Sequence, residues 1–300
     1  MVRNIVIFGF VIALAGFTQV PTFAQQDEDV RGSFMTTRPA ASNKPTQSGP
    51  AIKPTRRRPK TRTQTFQVTT TGTIKSSSGT TAAIPVKTTA GRLGLGLTLF
   101  KRDSTGMTVR ADPSQEFIKG DHVRVLLETN SDGYLYVFNT TNGGAAVMIY
   151  PDPELDEAGN FVKAHVPFEI PSSVAPEERL RWFTFDQNAG TEKLYFVFTR
   201  EPLATIPIED DLVSFCRDRA GQCPWHPGND VWALIQRESN EAPPIAKTEV
   251  VGRVETSSEH QAATRGIGLN REDPEPSLII LTASTNKNVL VATMALIHRS

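Results

Sequence analysis

The chain has 300 residues, 38% of them hydrophobic, and its 32 Lys/Arg balance its 32 Asp/Glu. This length allows one or two domains, and the low hydrophobic share argues against a chain that is globular throughout. Beyond the N-terminus, no segment approaches the roughly 18 apolar residues that a membrane-spanning helix needs, so we expect no transmembrane helix in the mature chain.

The N-terminal segment has the pattern of a secretory signal peptide. A basic start at Arg3 is followed by an apolar run from Ile5 to Phe17, and small residues lead up to Ala24. We expect cleavage after residues 1–24 and an exported protein, periplasmic or associated with the cell envelope. A segment that stays uncleaved as an N-terminal anchor is the alternative.

Residues 25–92 are predicted to be a disordered basic linker rich in Thr, Ser and Pro. Between Arg31 and Arg92 there are twelve Lys/Arg and no Asp/Glu, and the few large apolar residues show no period. Such a segment cannot bury enough surface to offset the entropy of the chain. The remainder, residues 93–300, holds nineteen basic and twenty-nine acidic residues, a balance of −10.

A basic run inside this linker is a candidate anchor. At an anionic surface, such as lipid headgroups or cell-wall polymer, each charge would contribute about 1 kcal/mol. The alternative is an arm that is simply solvated by its charge. Nucleic acid is not an expected partner, because export separates the two. The candidate anchor residues are Arg56, Arg57, Arg58, Lys60 and Arg62.

Residues 93–300 read mostly as strands. The segment "GDHVRVLLET" alternates in hydrophobicity, and "GYLYVFN", "AAVMIYP", "LRWFTFD", "EKLYFVFTREP", "SLIILTAS" and "VLVATMALIHR" follow it. Turn signals at 130–133 and 142–144 separate the first three. Strands with turns at intervals of about eight to twelve residues predict a mainly β fold, an immunoglobulin-like β-sandwich.

The second half of this domain is expected to be less regular. Two short helices, about 209–215 and 230–237, are predicted within an insertion over 204–240 that also carries the cysteines. The polar stretch 241–275 has no clear period and is expected to be a long, partly mobile loop. A pair of strands over 276–299 ends the domain.

Cys216 and Cys223 are predicted to form a local disulfide, since an exported chain meets oxidising conditions. A zinc site would need about four ligands, and only His226 lies nearby in the sequence. Two free thiols are the remaining alternative.

Several motifs occur in the order found in one family. The matching residues are Gly120, Asp121 and Val123; Asp132, Gly133 and Tyr134; Tyr150 and Pro151; Ile170 and Pro171; and Gly190 and Glu192. Over about residues 97–203 the chain therefore resembles the domain-of-unknown-function family 4384. The resemblance implies an exported or envelope-associated β-domain, and it brings no established catalytic residues.

Aromatic residues supply the candidate binding surface. Both faces of "YLYVFN" are apolar, as in a strand that is covered on both sides, so core packing is the simpler explanation. Tyrosine hydroxyls still need partners, so one edge of the aromatic row could reach solvent. The candidate surface residues are Tyr134, Tyr136, Tyr150, Trp225 and Trp232.

The chain lacks the common catalytic motifs of serine hydrolases, phosphate-binding loops and zinc proteases. The stretch 152–163 fails as a calcium loop, because Glu157 stands where glycine is needed and Lys163 where a bidentate glutamate is needed. We therefore expect no catalytic residue, cofactor or metal, and a non-enzymatic interaction or structural role with an envelope protein or an anionic envelope polymer. The alternatives are an envelope-polymer hydrolase with its site near His226 and Asp230, and a sugar- or peptide-binding module.

Overall fold

The computed structural model describes residues 23–41, 91–153, 159–248 and 250–300. All but the last two residues of the predicted signal peptide lie outside the described residues, as does the basic run at 56–62. The part of the chain that is described is mainly β, with two sheets and four helices.

The elements follow in chain order. The strands are β1 (Gly94–Arg102), β2 (Thr108–Arg110), β3 (Glu116–Ile118), β4 (His122–Thr129), β5 (Gly133–Thr141), β6 (Val147–Tyr150), β7 (Phe161–Val162), β8 (Phe168–Ile170), β9 (Phe183–Thr184), β10 (Gly190–Thr199), β11 (Ile245–Lys247), β12 (Leu278–Leu281) and β13 (Val289–Arg299). The helices are α1 (Phe23–Met35), α2 (Glu209–Asp218), α3 (Asn229–Ser239) and α4 (Ser257–Arg265).

The strands divide into two sheets. The first is antiparallel, in the order β11-β12-β1-β4-β8, with β2 added to β1 and β9 to β4. The second has the order β3-β13-β10-β5-β6, with β7 added to β5, and its edge strand β3 runs parallel to β13. The two strands predicted as a C-terminal pair, β12 and β13, thus lie in different sheets and do not pair with each other.

The two sheets share one hydrophobic core. Side chains of a strand alternate between its faces, so every second residue of the central strands points to the other sheet. The main inward-facing residues are Leu95, Leu97 and Leu99 of β1; Val123, Val125 and Leu127 of β4; Leu135 and Val137 of β5; and Leu194, Phe196 and Phe198 of β10. Val125, Leu135 and Val137 are fully buried in this core, whereas Ile149 is only partly buried at its margin.

The outer face of the second sheet is apolar as well, because two helices cover it. Tyr136 and Phe138 of β5 belong to a second buried cluster, together with Leu212 of α2 and Ile235 of α3. The prediction that this strand is covered on both sides is therefore right, and the two predicted helices are confirmed.

The outer face of the first sheet is covered partly by apolar residues of α1 and partly by buried charges. Arg38 follows α1, and its guanidinium donates to both carboxylate oxygens of Glu128 on β4, at 2.8 and 2.6 Å. Its remaining hydrogen-bond donors reach the carbonyls of Asn270, Asp273 and Pro274. His165 donates from Nδ1 to Glu128 at 2.7 Å. We call Arg38, Glu128 and His165 the N-terminal clasp.

Two further buried ion pairs attach the segment around α4 to the same face. Arg110 of β2 contacts Glu259, whose carboxylate also completes a capping box with Thr256 at the start of α4. Arg124 of β4 donates to Glu255 at 2.9 Å. These pairs hold the segment before and within α4 against the sheet.

Two sequence-based expectations are corrected here. Residues 25–41, predicted as part of a disordered linker, form most of α1 and an ordered extension, with Val30 and Phe34 packed on β11 and β12. The stretch 241–275, predicted as a partly mobile loop, contains β11 and α4. Both segments make buried ion pairs with residues that are distant in the sequence. Residues 42–90 lie outside the described residues.

Replacing Arg38 with methionine tests the N-terminal clasp. It leaves the Glu128 carboxylate buried without its main partner, and breaking a buried pair on one side costs about 3–5 kcal/mol. We expect the free energy of unfolding in urea to fall by that amount. Arg31→Met is the matched control on α1, because the ion pairs of Arg31 are partly exposed to solvent and 3.4 Å long. An equal loss in both variants would contradict a specific role for the clasp.

The clasp also predicts a loss of stability in acid. Burial opposes ionisation of Glu128, but hydrogen bonds from His165 and Arg38 outweigh it and hold the pKa below its ordinary value of 4.5. Because the folded pKa is the lower one, this contribution is complete above 4.5 and is lost as the pH falls through the folded pKa. Urea unfolding across this range should show a steeper decline for the wild type than for Glu128→Gln. Parallel curves would show that Glu128 is not responsible.

Candidate functional site

A large groove lies between the edges of the two sheets. It has a volume of about 760 Å³. One wall is β6 with the following Pro151, and the other is β8 with the following Pro171. One side is closed by α2 and by residues 216–226, which we call the cysteine loop. The groove exists because β6 and β8 end the strand orders of their sheets and leave the inter-sheet core open between them.

The cysteine loop is fixed to the groove in two ways. Cys216 and Cys223 form a disulfide, with their Cα atoms 5.3 Å apart, as the sequence predicts. The main-chain carbonyl of Trp225 accepts a hydrogen bond from the amide of Met148 on β6 at 2.8 Å. This hydrogen bond holds the loop against the edge strand β6, where it forms the rim of the groove.

Aromatic side chains line much of the groove. Tyr150 packs on Phe168 with ring centroids 5.3 Å apart, and Trp225 and Trp182 lie on the walls. Trp182 also lies under the guanidinium of Arg124, at 4.4 Å from the ring centroid. Of the predicted surface residues, the structure therefore brings Tyr150 and Trp225 together at one site.

The other predicted surface residues do not belong to this site. Tyr136 is buried and accepts a hydrogen bond from the amide of Leu203 at 2.9 Å, so it cannot serve as a binding surface. Trp232 packs edge-on against Tyr195 with ring centroids 4.9 Å apart, which makes it a packing residue between α3 and the sheet. Tyr134 is half-buried against Phe161.

A buried carboxylate lies where the groove meets the first sheet. Burial raises the pKa of Glu169 above its ordinary value of 4.5, and the nearby Arg124 offsets only part of this effect. Arg124 Nε lies 2.8 Å from Glu169 Oε1, but within the described residues neither atom makes an aligned hydrogen bond. Sequence reasoning missed both Glu169 and Trp182, since neither belongs to a recognisable motif.

The residues suggested for a hydrolase are used otherwise. His226 Nδ1 donates to the carbonyl of Ala146 at 2.9 Å, which anchors the cysteine loop. Asp230 lies in the first turn of α3, where a negative charge stabilises the helix. Among the described residues, no cluster of three or more metal-ligating side chains occurs. Much of the acidic stretch considered for calcium, residues 154–158, lies outside the described residues.

Comparison with known proteins bears on the strands that build the two groove walls. Residues 116–202 match the model of a domain of unknown function, DUF4384. This confirms the resemblance seen in the sequence, although the match covers less than a third of the chain. The DUF4384 segment runs from β3 through β10 and supplies both walls, whereas α2 and the cysteine loop lie outside it. No curated protein and no solved structure matches the chain.

The part of the chain that the structure describes contains no helix long and apolar enough to cross a membrane. The predicted basic anchor, residues 56–62, lies outside the described residues, so no contact of these side chains enters the description of the site.

Replacing both Cys216 and Cys223 with serine tests the rim of the groove. Opening so short a loop should lower the free energy of unfolding by up to about 3 kcal/mol, because the unfolded chain regains freedom. Peptide mapping of the wild type without reductant should find the two cysteines cross-linked. Wild type under reductant is the matched control and should behave like the double variant. Cysteines that alkylate freely without reductant would contradict the disulfide.

Proposed function

We propose that the chain is a non-enzymatic, exported interaction domain of the cell envelope whose groove binds an extended, apolar segment of a partner protein. The observation that carries the proposal is the groove between β6 and β8. Its volume of about 760 Å³ falls within the range of roughly 300–1,000 Å³ that is usual for binding sites. Aromatic and apolar walls with a few polar groups are also typical of such sites.

An extended peptide fits the geometry because the groove follows a sheet edge. The strand β8 ends the order of the first sheet, so its outer main-chain groups are available to an added strand. The edge of β6 is partly covered by the hydrogen bond to Trp225. An occupant would therefore pair with β8 and pack its side chains on Tyr150, Trp182 and Trp225.

The disulfide supports the exported location. Such bonds persist in oxidising compartments and are rare in the cytosol, and this one closes the rim of the groove. The aromatic walls of the groove offer packing surface for a bound segment, which favours a binding role over a hydrolytic one. An oxidised cysteine pair is also what a chain exported by the predicted signal peptide would carry.

We also propose that the two sheets form an immunoglobulin-like sandwich. The order β13-β10-β5-β6 corresponds to strands G-F-C-C′ of a variable domain, and β1-β4-β8 corresponds to A-B-E. In this assignment, the segment from α2 to β12 is an insertion between strands F and G. One part of that insertion closes the groove, and the other extends the first sheet through β12 and β11.

Peptides selected from a displayed library of extended, apolar sequences test this function. Leu180 lines the groove and is half-buried, so Leu180→Glu should weaken a selected peptide by about tenfold or more. Val174→Glu is the matched control, because Val174 is 56% exposed in the same connection and outside the groove. Bound peptide should also change the fluorescence of Trp182 and Trp225, as judged by Trp→Phe variants.

Two results would overturn the proposal. Peptides that bind both glutamate variants as well as the wild type would place the binding surface elsewhere. A library that yields no peptide able to change the fluorescence of Trp182 or Trp225 would show that the groove does not take an extended segment.

A further inference from the structure

A second cavity lies at one end of the shared core, where the inner face of the second sheet changes from apolar to polar. Along β5, Leu135 and Val137 are followed in phase by Asn139 and Thr141. The neighbouring strands change at the same level, since Glu192 lies opposite Thr141 and Gly190 lies opposite His298. The residues that continue the apolar rows are Asn139, Thr141, Glu192 and His298, and we call the cavity they line the inner polar chamber.

The inner polar chamber has a volume of about 370 Å³ and an apolar side. Val123, Phe183 and Phe185 face the polar residues from the first sheet and its connection. Phe185 packs against the ring of His298, with centroids 5.0 Å apart. Ile149 and Phe183 line both this chamber and the groove, so the two cavities adjoin but present different chemistry.

Glu192 orients the polar side chains of the chamber. Its Oε2 accepts hydrogen bonds from Asn139 Nδ2 at 2.7 Å and from Thr141 Oγ1 at 2.8 Å. A carboxylate only accepts, so the nitrogen of the Asn139 amide must face Glu192 and the Oδ1 must face away. Oδ1 of Asn139 is therefore fixed as an acceptor that Glu192 cannot satisfy.

Two buried polar atoms of the chamber lack partners. Asn139 Oδ1 and His298 Nδ1 have no hydrogen-bond partner among the described residues, and His298 is only 5% exposed. Buried polar atoms are nearly always hydrogen-bonded, and an unmet one at a cavity calls for a water or a ligand. The volume is that of several waters or of a small ligand, since one water occupies about 30 Å³ in the liquid.

The charge of the lining narrows the class of ligand. Asp186 and Glu192 contribute carboxylates, and no Lys or Arg occurs among the described lining residues. This disfavours an anion such as a phosphate. Hydroxyl groups can both donate to Asn139 Oδ1 and bond to His298 Nδ1, while a ring of C–H groups can pack on Phe183 and Val123.

From this arrangement we propose that the inner polar chamber binds a neutral sugar unit. The exposed rim residues Asn142, Asp186 and Asn188 supply further polar groups at the mouth, where the rest of a saccharide chain would leave. The site is separate from the peptide groove and does not depend on the function proposed for it.

Titration of the full chain with neutral monosaccharides tests the site, using glucose, galactose and N-acetylglucosamine as probes in saturation-transfer NMR and calorimetry. At least one should bind. Asn139→Val and His298→Leu continue the apolar rows and should each weaken binding by about tenfold or more, since each removes a hydrogen-bonding group. Ile297→Ser is the matched control, because Ile297 is the neighbour of His298 on the opposite, exposed face of β13.

Urea unfolding checks that each variant is folded. If Asn139→Val does not fold, His298→Leu decides the test. Glucuronic acid, glucose 6-phosphate and calcium chloride serve as charged probes. Binding of none of the neutral sugars would overturn the proposal, as would equal binding by wild type and both variants. Binding of a charged probe alone would overturn the assignment to a neutral sugar. Leu180→Glu should leave sugar binding unchanged, because Leu180 lines the groove and not the chamber. The two proposals can therefore be tested separately.

Discussion

The structure depends on a carboxylate, Glu128, that the first sheet presents on its outer face. A glutamate at this position of a central strand would be costly to bury alone, and Arg38 and His165 together make its burial possible. Because all the donors of Arg38 are used, the same guanidinium ties the N-terminal segment, β4 and the 270–274 loop together. The clasp thereby fixes the end of the α1 segment and the 270–274 loop against β4.

The two sheets differ in how their outer faces are covered. The second sheet presents aromatic and branched residues, which α2 and α3 cover by hydrophobic packing. The first combines an apolar contact of α1 with β11 and β12 and a set of buried charges, Arg110, Arg124 and Glu128, which are covered by partners of opposite charge. Apolar packing is non-directional, whereas each buried charge needs a partner placed at hydrogen-bonding distance.

The sequence predicted what depends on local pattern. Period-two alternation and the turn signals located the β4–β5–β6 region. The first of the two inserted helices was found from its acidic start and the second from a candidate N-cap, Asn229. It did not predict the ordering of α1, because Val30 and Phe34 are two apolar residues in a polar segment and their partners on β11 and β12 lie far away in the sequence. The groove was only half predicted: Tyr150 and Trp225 were named, but the wall containing Trp182 and Glu169 arises from pairing that no short motif encodes. Tyr136 was misplaced because alternation alone does not say which face a helix will cover.

The position of α1 determines where the chain is attached on either side of residues 42–90. Ala41 ends a stretch held by the N-terminal clasp, and the chain resumes at Gly91, whose carbonyl accepts a hydrogen bond from Arg200, beside the Arg92–Asp29 ion pair. Ala41 and Gly91 therefore both belong to the same body. A cut of the chain anywhere between these two residues would leave α1 attached by non-covalent contacts alone, as the smaller partner of a two-chain complex.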